Sequence, residues 1–255
     1  MKISEMVKET IASGITPILL NFDKVTLFKD KKAEIFRSFL VLNSLDLGVL
    51  TYRQYRFVAR RTKQGNYLVK RHIEKVFRAY PELCERFPNL EAVTVPVYAR
   101  LLKESELANI IMETVALFPD VPLDKICIEL SADILYEDLK EAKEKIAELR
   151  ALGVKIAICE VGDEFCPVFR LSEIVFDYAF ADEYTTASLD KEESDRIAGS
   201  LVNYLHYLKV KVIAPELDCQ EKVEGAERVG FDGYSLADVV TYSDGQEVID
   251  GGENL

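Results

Sequence analysis

Tryptophan is absent from this 255-residue chain, and histidine occurs only at His72 and His206. A mechanism built on paired histidines therefore has little material. Five cysteines, at positions 84, 127, 159, 166 and 219, form no CxxC pair, which argues against a zinc knuckle or a disulfide framework. Neither GxSxG nor GxGxxG is present, so a serine hydrolase elbow and a dinucleotide-binding turn are poor bets. Apolar runs fall well short of the 18 or so residues that span a membrane. The opening MKISEMVKETIASG has no apolar centre of the kind a secretory leader needs. No membrane association and a cytoplasmic location are expected. Positive charge is also scarce: 32 Lys and Arg face 44 Asp and Glu, a formal charge of -12. Such a field repels phosphate backbones, and no nucleic-acid polymer is expected as a partner.

What is present is a core. Hydrophobic residues make up 49% of the chain and charged ones 30%, a globular composition at a length that suits one large α/β domain. Eight strand-like runs can be read: TPILLNF, AEIFRSFLVL, LEAVTVPV, KICIEL, VKIAIC, EIVFDYAFA, KVKVIA and VGFDGYS. Segments of helical period lie between most of them. The first two runs are separated by VTLFKDKK, read as a charged loop. The segment from Asn66 places Val69, Ile73, Val76, Phe77 and Tyr80 on one face, and Pro81 is expected to stop it. Leu107, Ile110, Ile111, Thr114 and Phe118 form a second stripe, and Leu139, Ala142, Ile146 and Leu149 a third that ends at Gly153. A fourth, between Ser194 and Leu208, turns Ile197, Leu201, Tyr204, Leu205 and Leu208 inward. This alternation predicts a TIM-type (β/α)8 barrel, a single domain over 1–242, followed by an acidic, flexible tail at 243–255.

In such a barrel, functional groups belong at the C-terminal strand ends. Those positions include Ser38, Pro96, Glu129, Cys159, Glu160, Asp182 and Pro215. Glu129, Glu160 and Asp182 are the only carboxylates among them, and oxygen ligands suit magnesium or calcium. Three scattered carboxylates are a weak signal for a bound ion, and strand-end acids solvated or paired with nearby Lys and Arg are the favoured reading. Arg53, Arg56, Arg60, Arg61, Lys63, Lys70 and Arg71 concentrate basic charge, read as a solvated helical face with Tyr52, Tyr55, Phe57 and Tyr67 pointing inward. Cys159 and Cys166 have no cation beside them in the sequence and are read as structural.

The stretch KICIELSADILYEDLKEAKEKIAELRALGVKIAICEVGDEF, continued by IVFDYAFADEY, KVKVIAPELD and VGFDGY, resembles the EAL domain, the cyclic di-GMP phosphodiesterase module of bacterial signalling. That family implies two divalent metals that activate the water opening the cyclic dinucleotide. In the match, Glu129 and Asp182 keep ligand positions and Glu160 replaces an aspartate. Ser38 stands for the glutamate that names the family, Pro96 for its asparagine, Cys159 for an aspartate, Phe180 for a lysine and Pro215 for a glutamate. Leu42 stands for the phosphate-gripping arginine. The resemblance therefore implies a degenerate, catalytically inactive EAL-like barrel acting as a protein-interaction or regulatory module. It assigns no catalytic residue, metal or cofactor, and leaves Glu129, Glu160 and Asp182 as vestigial ligand-binding candidates. A protein partner is expected, retained cyclic di-GMP binding is not, and a homodimer stays open. The alternative is a phosphodiesterase or a cyclic di-GMP sensor with a divergent magnesium or calcium site.

Overall fold

The structure is a computed structural model describing residues 3–12, 18–44, 46–103, 107–163, 166–192, 195–237 and 239–243. A helix, α1 (Ile3–Ala12), precedes a hairpin of β1 (Ile18–Leu27) and β2 (Glu34–Ser44), to which the short β3 (Gly48–Leu50) adds. Two helices follow, α2 (Tyr52–Arg60) and α3 (Gln64–Arg86), and then β4 (Leu90–Val97). Next come α4 (Ala99–Lys103), α5 (Leu107–Leu117), β5 (Ile126–Ser131), α6 (Leu139–Ala151), β6 (Lys155–Val161), β7 (Tyr178–Ala181) and α7 (Glu183–Ala187). The chain continues through α8 (Asp195–Tyr207), β8 (Lys211–Leu217), α9 (Gln220–Val229), β9 (Gly233–Leu236) and β10 (Tyr242–Ser243).

Each of the eight strand runs contributes a barrel stave, although in EIVFDYAFA only Tyr178–Ala181 is strand and in VGFDGYS the strand begins at Gly233. From β2 through β4, β5, β6, β7 and β8 to β9 the neighbours are parallel, and β1 closes the ring between β9 and β2. β1 is antiparallel to both, because its link to β2 is a hairpin too short for a helical crossover. Val25, Thr26 and Leu27, read as loop, belong to β1. The expected opening of that run, Thr16 and Pro17, lies outside the described residues, as do Ser194 and 244–255 of the expected tail. Ser243, the tail's first expected residue, pairs with Asn21 of β1.

The helical stripes pack as read, with three corrections. Pro81 does not end α3, which runs to Arg86. Its ring removes one backbone donor, and the full burial of Leu83 beyond it holds the next turn. Ile197 is 80% exposed while Ala198, Val202 and Leu205 are buried, since Ile197 sits about 100° round the helix from Ala198. Phe57 and Tyr67 are exposed, and Tyr55 alone of that aromatic set is fully inside. Among the described residues, no helix is long and apolar enough to cross a membrane.

The interior has two parts. A large cluster lies between barrel and helices, and a smaller one fills the lumen with Val25, Ile35, Ala92, Cys127, Ala157, Tyr178 and Ile213. At the N-terminal strand ends, the Tyr178 hydroxyl donates to Glu91 at 2.5 Å and Lys211 donates to the same oxygen at 2.9 Å. These bonds tie β4, β7 and β8 together at that end.

Candidate functional site

Successive side chains of a strand face opposite sides, so the lumen positions can be counted. On β2, Ile35 lies in the lumen, and so do Arg37 and, at the mouth, Phe39 and Val41. Ser38 faces outward, its hydroxyl 2.8 Å from Nε2 of His72 on α3. Of the two neighbours, Arg37 and not Ser38 faces the lumen, the side on which a ligand to a metal in the barrel mouth has to lie. A one-residue offset moves every side chain of a strand to its other face. The same shift puts Val41, rather than the buried Leu42, where the phosphate-gripping arginine is expected.

Arg37 spans the lumen to Glu129 on β5. Its Nη2 donates to Oε1 at 2.5 Å and its Nε to Oε2 at 3.2 Å. Thr94 of β4 adds a hydrogen bond to Oε2 at 2.9 Å. Both groups of the ion pair are buried, Glu129 at 1% exposure. The guanidinium also lies 4.2 Å from the Phe180 ring centroid, the residue matched to a family lysine. Burial alone would lower the pKa of Arg37, but the Glu129 carboxylate overrides it and holds the guanidinium above its ordinary value. Asp23 of β1, the cross-strand partner of Arg37, adds to this effect.

The other two candidates are occupied elsewhere. Glu160 follows Cys159 at a register shift between β6 and β7, with a left-handed backbone (φ 62°). It turns toward α2, where Arg60 donates at 2.9 and 3.0 Å and Arg56 lies at 3.1 Å. Burial works against the Arg60 charge, and Glu160 and Asp133 together raise its pKa. Asp182 caps α7, accepting from the backbone of Tyr184 at 3.1 Å and Thr185 at 2.9 Å. Gly162 presses on this cap: a Cβ there would sit 2.3 Å from the Thr185 hydroxyl, and its φ of 104° suits glycine. Cys159 faces the lumen, its thiol pushed well up by burial and then by Glu129 and Glu160. Pro96 and Pro215 stand at their strand ends without a side-chain donor.

The structure therefore does not bring Glu129, Glu160 and Asp182 together, and no group of three or more His, Cys, Asp or Glu among the described residues could hold a metal ion. The donor set does not fit a pair of divalent ions. Both Glu129 oxygens are engaged by a permanent cation, and a metal entering beside it would meet like charge at short range. Sequence reasoning missed Arg37 and Asp23, and it read Arg56 and Arg60 as part of a solvated face when both are largely covered and ion-paired with Glu160. Counting the period of two from Ile35 would have found the first.

Above this layer, at the mouth, lies a cavity of about 620 Å³. Phe39 and Tyr52 form one wall, their ring centroids 5.5 Å apart. Arg53 and Lys222 line it too. Arg53 is ion-paired with Glu216 and lies 3.9 Å from Glu183, and Lys222 pairs with Asp218 at 2.8 Å.

A family model described as "EAL domain" matches residues 25–235. Among curated proteins, the Signaling protein YkoW of Bacillus subtilis (strain 168) is 23% identical over 128 residues, 48% of this chain and 15% of that protein. The match thus spans about one seventh of that relative's length. Among solved structures, "PaMucR Phosphodiesterase, c-di-GMP complex" superposes with a TM-score of 0.78 at 14% identity, covering 91% of this chain and 93% of that one. The FimX EAL domain from Pseudomonas aeruginosa bound to c-di-GMP gives 0.76 at 15% identity over 92% and 94%. An EAL domain protein from Listeria monocytogenes EGD-e gives 0.72 at 20% identity over 92% of each. At these identities the superpositions establish a common fold.

Proposed function

Since the chain belongs to the EAL domain family of cyclic di-GMP signalling, matched over residues 25–235, we propose that it is a non-hydrolytic member acting as a protein-interaction or regulatory module. One observation carries this reading: the guanidinium of Arg37 grips both oxygens of Glu129 inside the barrel. A metal-dependent hydrolase needs carboxylates free to coordinate and a preorganised route to an activated water. Here the cation is supplied by the protein, covalently tethered and unable to bind water as a nucleophile. The scaffold meanwhile keeps its helix stripes and closed ring, as a surface retained for binding requires. Its partner on this reading is another protein, in the cytoplasm, with no metal cofactor.

The test is direct. Incubation with cyclic di-GMP and magnesium or manganese, followed by separation of the linear dinucleotide, is expected to give no turnover. Turnover that vanishes in Glu129→Ala overturns the proposal.

A second reading, dinucleotide binding without hydrolysis, is favoured by the solved relatives whose titles carry c-di-GMP and by a mouth cavity of adequate size. Against it stand the apolar Val41 and two lining cations already paired with acids. Calorimetry with cyclic di-GMP decides between them, and no saturable heat is expected.

A further inference from the structure

The mouth cavity has the volume of a small-molecule site, which commonly runs from about 300 to 1,000 Å³, and its chemistry points to the sign of its ligand. Four carboxylates, Asp23, Glu183, Glu216 and Asp218, line it against two cations, Arg53 and Lys222. Each cation is held by an acid of the same wall. An incoming anion would have to strip one of these pairs and then face the uncovered carboxylates. An incoming cation meets net negative charge at no such cost, and the overall charge of -12 draws it in.

The walls add a second preference. Phe39 and Tyr52 lie side by side, the Arg37 guanidinium already 5.1 Å from the Phe39 centroid on the lumen side, and Tyr184, 72% exposed, stands at the rim. Ring faces attract ammonium and guanidinium groups, most strongly where water is partly excluded. Val41, Val239 and Val240 supply apolar contact for a carbon stem.

We propose that the barrel mouth is a binding site for an organic monocation, an alkylguanidinium or alkylammonium group on an apolar stem. Its source is either a free amine or the basic side chain of a bound protein. The site is defined by its own small probes and stands independently of the partner's identity.

N-acetylarginine amide and its neutral isostere N-acetylcitrulline amide would be titrated into the full chain, following backbone amide shifts by NMR at low salt. Saturable binding with Kd about 1 mM is expected for the arginine compound, as for one partly exposed cation contact. Binding about tenfold weaker is expected for the citrulline compound. Adding about 0.5 M salt should weaken the first and leave the second unchanged. The double variant Glu183→Gln/Glu216→Gln equalises the lining charges, and Glu183 is exposed enough for the single variant Glu183→Gln to serve as a folding-safe check. Both should bind the arginine compound several-fold more weakly. Butylguanidinium, a monocation like the amide but without its peptide groups, distinguishes the sources: equal or tighter binding than the amide marks a free small cation, and weaker binding marks a peptide side chain. Equal affinity for citrulline and arginine compounds overturns the proposal, as does no saturable shift by about 20 mM, far above the expected Kd. Unchanged affinity in both variants also overturns it.

Discussion

The Ser38 hydroxyl lies 2.8 Å from Nε2 of His72, sealed between β2 and α3 on the outer face of the barrel. The imidazole is fully buried, and burial, aided by the Lys75 charge, lowers its pKa from 6.5 to about 3. Neutral His72 therefore stabilises the fold completely above pH 6.5. That contribution is lost as pH falls toward 3, because the unfolded chain takes up a proton the folded chain refuses. The slope is about 1.4 kcal/mol per pH unit for one proton. Urea unfolding of wild type and His72→Gln between pH 7 and 5 should show the wild type losing about that much more stability per unit below 6.5. Parallel curves would place the imidazole in contact with water.

Glu129 without its guanidinium would be a carboxylate stranded in the lumen. Arg37→Met should cost about 3–5 kcal/mol, the usual penalty for removing one partner of a buried pair. The double variant Arg37→Met/Glu129→Met removes both charges and should be milder than the sum of the two single changes by more than about 1 kcal/mol. Chemical denaturation of the four proteins closes the cycle. Additive losses would mean that the two groups do not depend on one another.

Divalent ions should not stabilise the wild type, whose melting temperature is expected to be the same in EDTA and in millimolar manganese. Arg37→Glu replaces the cation with a third lumen acid beside Glu129 and opposite Asp23. This variant should be less stable in EDTA and regain stability with manganese, about 2.7 kcal/mol at a hundredfold excess over Kd. Thermal melts in both conditions decide it. An equal manganese effect on the wild type would contradict the mutual exclusion of metal and Arg37.

Thiol labelling should follow burial. Cys127 and Cys159 are buried, and desolvation raises both thiols well above their ordinary range. A neutral-pH thiol reagent should modify Cys84 and Cys219, which are partly exposed, before these two. Mass spectrometry of early time points gives the order, and rapid modification of Cys159 would mean an open lumen.

Much of the fold was legible because its signals are local. The eight runs carry β-branched residues bounded by helical stripes, and Gly153, with its positive φ, marks the end of α6 in the sequence itself. The direction of β1 was not legible, since antiparallel closure depends on pairing Thr26 with Tyr234, far apart in the chain. Pro81 misled because a buried Leu83 outweighs one missing backbone donor. At the site, residue types were read correctly while facing was misjudged. The resemblance set Ser38 in a ligand position, and only strand parity shows that Arg37 is the residue facing the lumen. The ion pairs of Glu160 with α2 needed the left-handed turn at that residue, which no spacing rule announces.

A ring closed by its first stave has a seam that is completed late. β1 meets β2 at once through a hairpin, yet its other edge finds Gly233–Leu236 and Tyr242–Ser243 only after every other stave of the ring has been made. During synthesis that edge presents unpaired amides and carbonyls beside apolar side chains, a template for intermolecular pairing. Lesions in the last two strands should therefore surface first as lost soluble yield, before any effect at the mouth can be measured.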